Sequence, residues 1–203
     1  MNFSEIKLMD ENFNEPLIIF TQWFNLANKK EINDANAMNV STISHDKKPS
    51  SRMILLKEYD ENGFIFNTNI ESRKSQEINY SNYIALNFYW KSIRRQIRIE
   101  GKAYQLNSSE ADKIFENRPR ESQIAAWASK QSHYLPNRQM LNKRIFHFEN
   151  LFNNSIIERP KFWSGYRVIP EYYEFWWDVK HRLHYRVVFK KKNGSWTKLM
   201  LYP

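Results

Sequence analysis

The stretch EFWWDVKHRLHYR, residues 174–186, sets three aromatic residues just ahead of a dense group of Arg and His. If RLHYR is extended, its period of two puts Arg182, His184 and Arg186 on one face and Leu183 and Tyr185 on the other. Three cationic or switchable groups on one strand face repel one another, and an anion between them would remove that cost. The same pattern also fits a solvated edge strand, where Lys and Arg discourage pairing with other chains. A zinc site from His181 and His184 is disfavoured, because a strand turns the two to opposite faces.

Three further clusters have the same flavour. SRKSQ (72–76) places Ser72, Arg73 and Lys74 at the start of an expected helix, where backbone N–H groups and the helix dipole already favour an anion. A solvated first turn is the plainer alternative. RPRESQIAAWASKQS (118–132) brings Arg118, Arg120 and Ser122 ahead of a small-residue helix that Gln131 and Ser132 close. Guanidinium, hydroxyl and amide groups with little bulk between them suit a phosphate or a ring with polar edges. Ala125 and Ala126 would equally serve simple close packing. RMILLK (52–57) ends an apolar run with Arg52 and Lys57, an ordinary arrangement when taken alone.

Lys and Arg outnumber Asp and Glu by 31 to 22, a net charge of +9, so anionic partners are expected. Nucleic-acid grooves show a more continuous basic stripe with repeated exposed aromatics, whereas the clusters here are discrete. No nucleic-acid partner is therefore expected. The absence of cysteine excludes disulfides, thiolate catalysis and Cys-ligated metals, and no metal site is expected. Glycine occurs only 4 times and neither G-x-x-x-x-G-K-[ST] nor G-x-G-x-x-G is present. Any bound phosphate must then be held largely by side chains. With no secretion signal at the start and no apolar run near ~18 residues, no membrane partner is expected and the cytoplasm is the expected location.

The elements that must position these groups follow from periodicity. EPLIIFTQWFNLANKK (15–30) predicts an amphipathic helix with Pro16 near its start. AMNVSTIS (37–44) predicts a strand, HDKKPSS a turn, and RMILLKEY and FIFNTN a hairpin around DENG. Ser72 is placed to cap the helix of SRKSQEINYS. YIALNFYW and QIRIEGKAYQL predict strands, the second with Ile97 and Ile99 on one face and Gln96, Arg98 and Glu100 on the other. A capping box from Ser109 to Asp112 predicts a helix that Pro119 interrupts, ESQIAAWASK and NRQMLNKRIFHFENLF predict two more, and strands YEFWW, HYRVVFKK and WTKLMLY close the chain around an Asn193-Gly194 turn. Strands first, helices in the middle and a closing hairpin imply one α+β domain over residues 1–203, with an antiparallel sheet or barrel. Residues 1–15 are expected either to be flexible or to cover the site.

RMILLK, NTNIESRKSQEI, RRQIRIEGKA, RPRESQIAAWASKQS, FWSGYRV and EFWWDVKHRLHYR occur in that order. Together they resemble the pyridoxamine 5′-phosphate oxidase family over roughly residues 35–203. The resemblance implies an FMN-binding split β-barrel with peripheral helices, homodimeric, with FMN at the subunit interface and residues 171–203 completing the site. It implies an oxidase that takes pyridoxamine or pyridoxine 5′-phosphate and dioxygen to pyridoxal 5′-phosphate and hydrogen peroxide. FMN would be held by Arg52, Met53, Ile54, Leu55, Asn67, Thr68, Ser72, Arg73, Lys74 and Gln96, with Gln131, Ser132, Trp176 and Arg186, some reaching across the dimer. Lys57, Arg118 and Ser122 would clamp the substrate phosphate, and Arg182 and His184 would lie over the substrate ring as the catalytic pair.

The sequence departs from the family pattern at three places. The basic, Tyr-bearing N-terminal segment of the family is here FSEIKLMDENFNEPL, shorter and acidic. A Tyr on the substrate phosphate is Ile114, a lost donor that would cost on the order of 1.5–3 kcal/mol of binding. The Tyr before Thr68 is Asn67. A split-barrel protein that holds FMN or pyridoxal phosphate without useful turnover is the alternative those departures leave.

Overall fold

The computed structural model describes residues 3–10 and 12–203. Among the described residues, eight antiparallel strands carry the fold: β1 (Ala37–Ile43), β2 (Pro49–Asp60), β3 (Gly63–Asn69), β4 (Tyr83–Trp90), β5 (Arg95–Gln105), β6 (Trp163–Trp177), β7 (Tyr185–Lys192) and β8 (Ser195–Leu201). Their order is β3-β2-β1-β4-β5-β6-β7-β8, and β3 also pairs with β6. The first six strands therefore close into a barrel, and β7–β8 extend from it as a hairpin. The expected strand residues from 37 to 106 fall in β1–β5 except Ser44 and Leu106, each one residue past a strand end. The strand β2 starts earlier than expected, with Pro49 as its first residue, where a missing N–H costs no ladder bond.

The 15-residue strand β6 makes both closure and splitting possible. Its first part, Trp163–Val168, pairs with β3, its last part, Tyr172–Trp177, pairs with β7, and β5 runs beside both. Between the two parts the β5 register shifts at Glu100/Gly101, opposite Tyr172 and Pro170, with Glu171 as the extra residue. A Cβ on Gly101 would lie 2.1 Å from the Ile169 carbonyl oxygen, so only glycine fits this bulge.

Inward-facing residues of period two fill the barrel: Met38 and Val40, Leu86 and Phe88, Ile97 and Ile99, Phe64 and Phe66, Tyr173 and Phe175, all buried. Helix α2 (Pro16–Lys30) plugs one end, burying Ile19, Phe20, Trp23 and Ala27 completely. The Phe20 ring meets Phe64 and Phe88 at 4.8 and 5.3 Å, and Trp23 meets Phe175 edge-on at 5.4 Å. Helix α1 (Phe3–Met9), within the segment expected to be flexible or to cover the site, buries Leu8 and ties Glu5 to Arg95 of β5 at 2.7 Å.

Helix α3 (Arg73–Tyr80) follows β3 at the opposite end of the barrel. Helices α4 (Ser108–Glu116), α5 (Arg120–Ala128) and α6 (Arg138–Phe152) lie between β5 and β6 and share a smaller core of Phe115, Ile124, Ile157 and Trp163. Two local expectations are corrected. The α4 cap is Asn107, whose side chain accepts from Glu110 N while Glu110 reaches back, so the box sits two residues ahead of Ser109–Asp112. Residues 180–182 form a tight turn with His181 and Arg182 left-handed (φ 61° and 62°), so RLHYR is not extended and β7 begins only at Tyr185.

Candidate functional site

Strands β2 and β3 pair only over Leu56–Asp60 and Gly63–Phe66. Beyond that point β2 stays with β1 and β3 stays with β6, so the barrel wall opens between Ser50–Ile54 and Asn67–Asn69. A cavity of about 430 Å³ occupies the opening, lined by Arg52, Met53, Ile54, Asn67, Thr68 and Lys74, with Ser50, Ser51, Arg73, Gln131 and Ser132 completing it.

Glu77 of α3 organises the cations here. It is buried and accepts from Thr42 Oγ1 at 2.5 Å, Ser50 Oγ at 2.6 Å, Arg73 Nε at 2.8 Å and Arg52 Nη2 at 3.0 Å. Burial works against its charged form, but the two hydroxyls and two guanidinium groups outweigh it and bring the pKa down to about 2. Lys74 is buried next to this cluster. Its Nζ donates to Thr68 Oγ1 at 2.9 Å, Ser72 Oγ at 3.1 Å and Gln131 Oε1 at 3.1 Å. Burial and the nearby Arg52 charge lower its pKa to about 8, against the opposing pull of Glu77. Ser72 occupies the N-cap position, but its hydroxyl makes no capping bond; it serves Lys74 and Ser75 instead. Arg52, Arg73 and Lys74 against Glu77 leave a surplus of two positive charges, which matches roughly the −2 of a phosphate monoester.

A second cavity of about 270 Å³ adjoins the first through Asn67, Thr68 and Gln131, and is walled by Arg118, Ala125, Ala126, Ser129 and Trp163. Arg118 lies over the Trp163 ring at 4.8 Å and donates to the Ser122 carbonyl, not its hydroxyl, at 3.1 Å. Burial lowers its pKa. Among the described residues, Asn67 Nδ2 and Oδ1 and Arg118 Nε are buried without a hydrogen-bond partner, polar atoms that a polar ligand would satisfy. Ile114 packs in the small core beside Trp163. Lys57 is exposed and lines a separate recess with Phe24, Asn28 and Tyr59, away from Arg118 and Ser122. Arg120 bonds the Asn153 and Ser155 carbonyls and so ties α5 to the end of α6.

The remaining expected residues lie elsewhere. Cross-strand register puts Gln96, Trp176 and Arg186 in one row over β5, β6 and β7, on the sheet's outer face, towards the barrel end that α2 plugs. Leu55, on the same outward parity of β2, is 39% exposed, and Met53 is 63% exposed. Arg186 pairs with buried Glu174 at 2.7 Å, and Arg98 meets the same carboxylate at 2.9 Å. Burial raises the Glu174 pKa, but Arg186, Tyr172 and Arg98 pull it below the ordinary carboxylate range. His184 packs against Trp176 with ring centroids 4.8 Å apart and planes tilted by 49°, and Arg182 is exposed in the turn before it. The cavity in the cationic opening has none of this row's residues in its lining. Glu77 and Glu174 were not anticipated from sequence. The Arg73–Glu77 spacing of four is a helical pairing signal, and a Glu inside EYYEFWW calls for cationic partners.

The fold and the opening define a class: a split β-barrel with a cationic cavity in its parted seam. A family model described as pyridoxamine 5′-phosphate oxidase matches residues 26–152, and one described as the pyridoxine 5′-phosphate oxidase C-terminal dimerisation region matches residues 163–203. The pyridoxine/pyridoxamine 5′-phosphate oxidase of Caulobacter vibrioides is 48% identical over 93% of this chain and 85% of its own. That of Mesorhizobium japonicum is 45% identical over 98% of this chain and 100% of its own. Among solved structures, PhzG from Burkholderia lata 383, in complex with tetrahydrophenazine-1-carboxylic acid, superposes with a TM-score of 0.90 at 30% identity, covering 96% of this chain and 95% of its own. An FMN-binding protein from Nostoc punctiforme at 13% identity and TM-score 0.74 shares the fold. The chain belongs to the pyridoxamine 5′-phosphate oxidase family of split-barrel oxidoreductases.

Proposed function

We propose that this protein is an FMN-dependent oxidase that converts pyridoxine or pyridoxamine 5′-phosphate to pyridoxal 5′-phosphate, as a homodimer with FMN between the subunits. The observation that carries the reading is the parted β2–β3 seam, where Arg52, Arg73 and Lys74 converge beside the partnerless amide of Asn67. These residues fit FMN: cations for its phosphate, and amide and strand-edge groups for a ring with polar edges. Bound FMN would supply the hydride acceptor, with dioxygen as terminal oxidant and hydrogen peroxide as by-product; the amine substrate also consumes water and releases ammonia.

The chain's own residues bind and orient. Arg52, Arg73 and Lys74 take the cofactor phosphate, with Glu77 keeping the two arginines in place. Arg118, stacked on Trp163, offers an unpaired Nε to the substrate phosphate. Arg182 and His184 position the substrate ring. Arg182 stays protonated, so it orients and contributes charge without shuttling a proton. The separation of the Gln96–Trp176–Arg186 row from the cationic opening supports a site completed by a second copy, whose outer face would supply the missing half. The dimerisation-region match over residues 163–203 supports the same arrangement.

The test is anaerobic mixing of the FMN-loaded protein with pyridoxine phosphate while following oxidised-flavin absorbance. Bleaching that air reverses, with pyridoxal phosphate formed, is the expected result. A flavin that stays oxidised with both pyridoxine and pyridoxamine phosphate would replace this reading with a non-catalytic binder, the alternative that Ile114 favours.

A further inference from the structure

A carboxylate stands directly behind His184. Asp178 follows the last residue of β6, and its two oxygens are divided. Oδ1 lies 2.9 Å from His184 Nδ1, and Oδ2 pairs with the Arg94 guanidinium. The Asp178 backbone N–H donates to the Arg94 carbonyl at 3.2 Å, fixing the residue against the turn before β5. The two side chains are only 12% and 18% exposed. The imidazole is held from its flank by Trp176, whose ring lies at 4.8 Å and 49°.

We propose that Asp178 is a positioning residue that fixes His184 with its proton on Nδ1, so that Nε2 presents a lone pair to a hydrogen-bond donor on the substrate. An ionised carboxylate only accepts, so Asp178 Oδ1 at 2.9 Å is favourable to Nδ1 only when that nitrogen carries a proton. The Val179 N–H donates to Nδ1 at 3.3 Å, a bond that needs a lone pair on that nitrogen, but the same lone pair would face the negative Asp178 Oδ1 at 2.9 Å; the two groups compete for Nδ1, and the full charge at the shorter distance favours the proton there. A neutral imidazole has one N–H, which leaves Nε2 as acceptor. A ring flip would turn Nδ1 away from the carboxylate. The ligand chemistry that fits is a hydroxyl or amine N–H on an aromatic ring. This rests on the proposed function to the extent that His184 faces substrate.

The experiment is long-range ¹H–¹⁵N NMR of the full-length protein with ¹⁵N-labelled histidine at pH 8.5, the His184 signals assigned by difference with His184→Gln. Wild type is expected to carry its single imidazole proton on Nδ1, Arg94→Ala to keep it there, and Asp178→Ala to move it to Nε2, the tautomer free imidazole prefers. A wild-type proton on Nε2, protons on both nitrogens, or an unchanged tautomer in Asp178→Ala would each overturn the proposal. If Asp178→Ala does not fold, the wild-type spectrum alone decides. In a protein that turns over pyridoxine phosphate, Asp178→Ala should lower kcat about tenfold, the loss of one well-placed hydrogen bond. Unchanged turnover despite a moved proton would overturn the positioning role. A wild type with no turnover but the Nδ1–H signal would defeat the oxidase reading and leave the tautomer assignment standing.

Discussion

Arg52 Nη2 lies 3.0 Å from Glu77 Oε2, and this contact joins the free edge of β2 to the helix that follows β3. It spans the place where the barrel wall opens. The carboxylate is buried while the Arg52 side chain is 21% exposed, so the guanidinium is oriented from behind and reachable from the cavity. Thr42 and Ser50 complete the anchoring through the same carboxylate. The seam can part without collapsing because the charges on its two sides hold one another in place.

The contact predicts an acid-sensitive seam. The Glu77 pKa falls from 4.5 to about 2 on folding, so its contribution to stability is complete above pH ~4.5 and is lost as pH falls towards 2. Glu77→Gln should remove that part of the acid dependence and lower stability by about 2 kcal/mol at neutral pH, since it leaves two guanidinium groups short of a charge. Urea unfolding at pH 3 and pH 7 for both proteins measures this. Equal acid loss in the variant would place the sensitivity elsewhere.

Lys74 makes a different prediction, on cofactor binding. With a pKa near 8 in the open cavity, it is partly neutral at mildly alkaline pH. A phosphate placed against it favours the charged form, so FMN binding at pH 8.5 should take up protons. Calorimetry in buffers of different ionisation enthalpy reads the uptake directly. Lys74→Ala should abolish it and weaken FMN about tenfold or more, the range of one charge-assisted hydrogen bond.

Much of this was legible in the chain. Alternation in QIRIEGKAYQL put Ile97 and Gln96 on opposite faces, as the fold has them, and the helix expected over 15–30 runs from Pro16 to Lys30. The clusters SRKSQ and RMILLK were read as cationic, and the fold brings Arg52 and Lys74 to one cavity. What local pattern could not show was which hydroxyls they use. Ser72 fits an N-cap by type, yet Lys74 takes its oxygen, because a buried ammonium needs acceptors more than an N-terminal N–H does. The RLHYR turn failed the period-two reading because two consecutive left-handed residues, ordinarily disfavoured, end the strand pattern before it starts. Long-range partners such as Glu174 for Arg186 are set by register between β6 and β7, which no spacing within one segment encodes.

The β5–β6 bulge is a place where one methyl group should matter. A Cβ on Gly101 meets the Ile169 carbonyl oxygen at 2.1 Å and the carbonyl carbon at 2.9 Å, both backbone atoms that cannot rotate away. Gly101→Ala should cost about 3 kcal/mol or more, with strand β6 displaced between its β3-paired and β7-paired parts. Chemical denaturation gives the magnitude. A loss below about 1 kcal/mol would mean the bulge shifts freely.

The separation of the two groups of site residues gives the last prediction. Lys74 sits in the opening at one end of the barrel, whereas Arg182 lies in the turn near the end plugged by α2. Lys74→Ala should weaken FMN, and Arg182→Met should lower turnover while leaving FMN bound. If a site takes the opening from one subunit and the turn from the other, each variant homodimer has two damaged sites. A mixed dimer has one site with both defects and one with neither. Unfolding and refolding an equimolar mixture should then restore activity to about a quarter of wild type, because half of the dimers are mixed and each contributes one intact site. If each site were built within a single chain, every site in the mixture would carry one defect and activity would remain at the average of the two variants. The same mixture scores FMN retention, so recovery through tighter cofactor binding alone would be visible as a change in bound flavin.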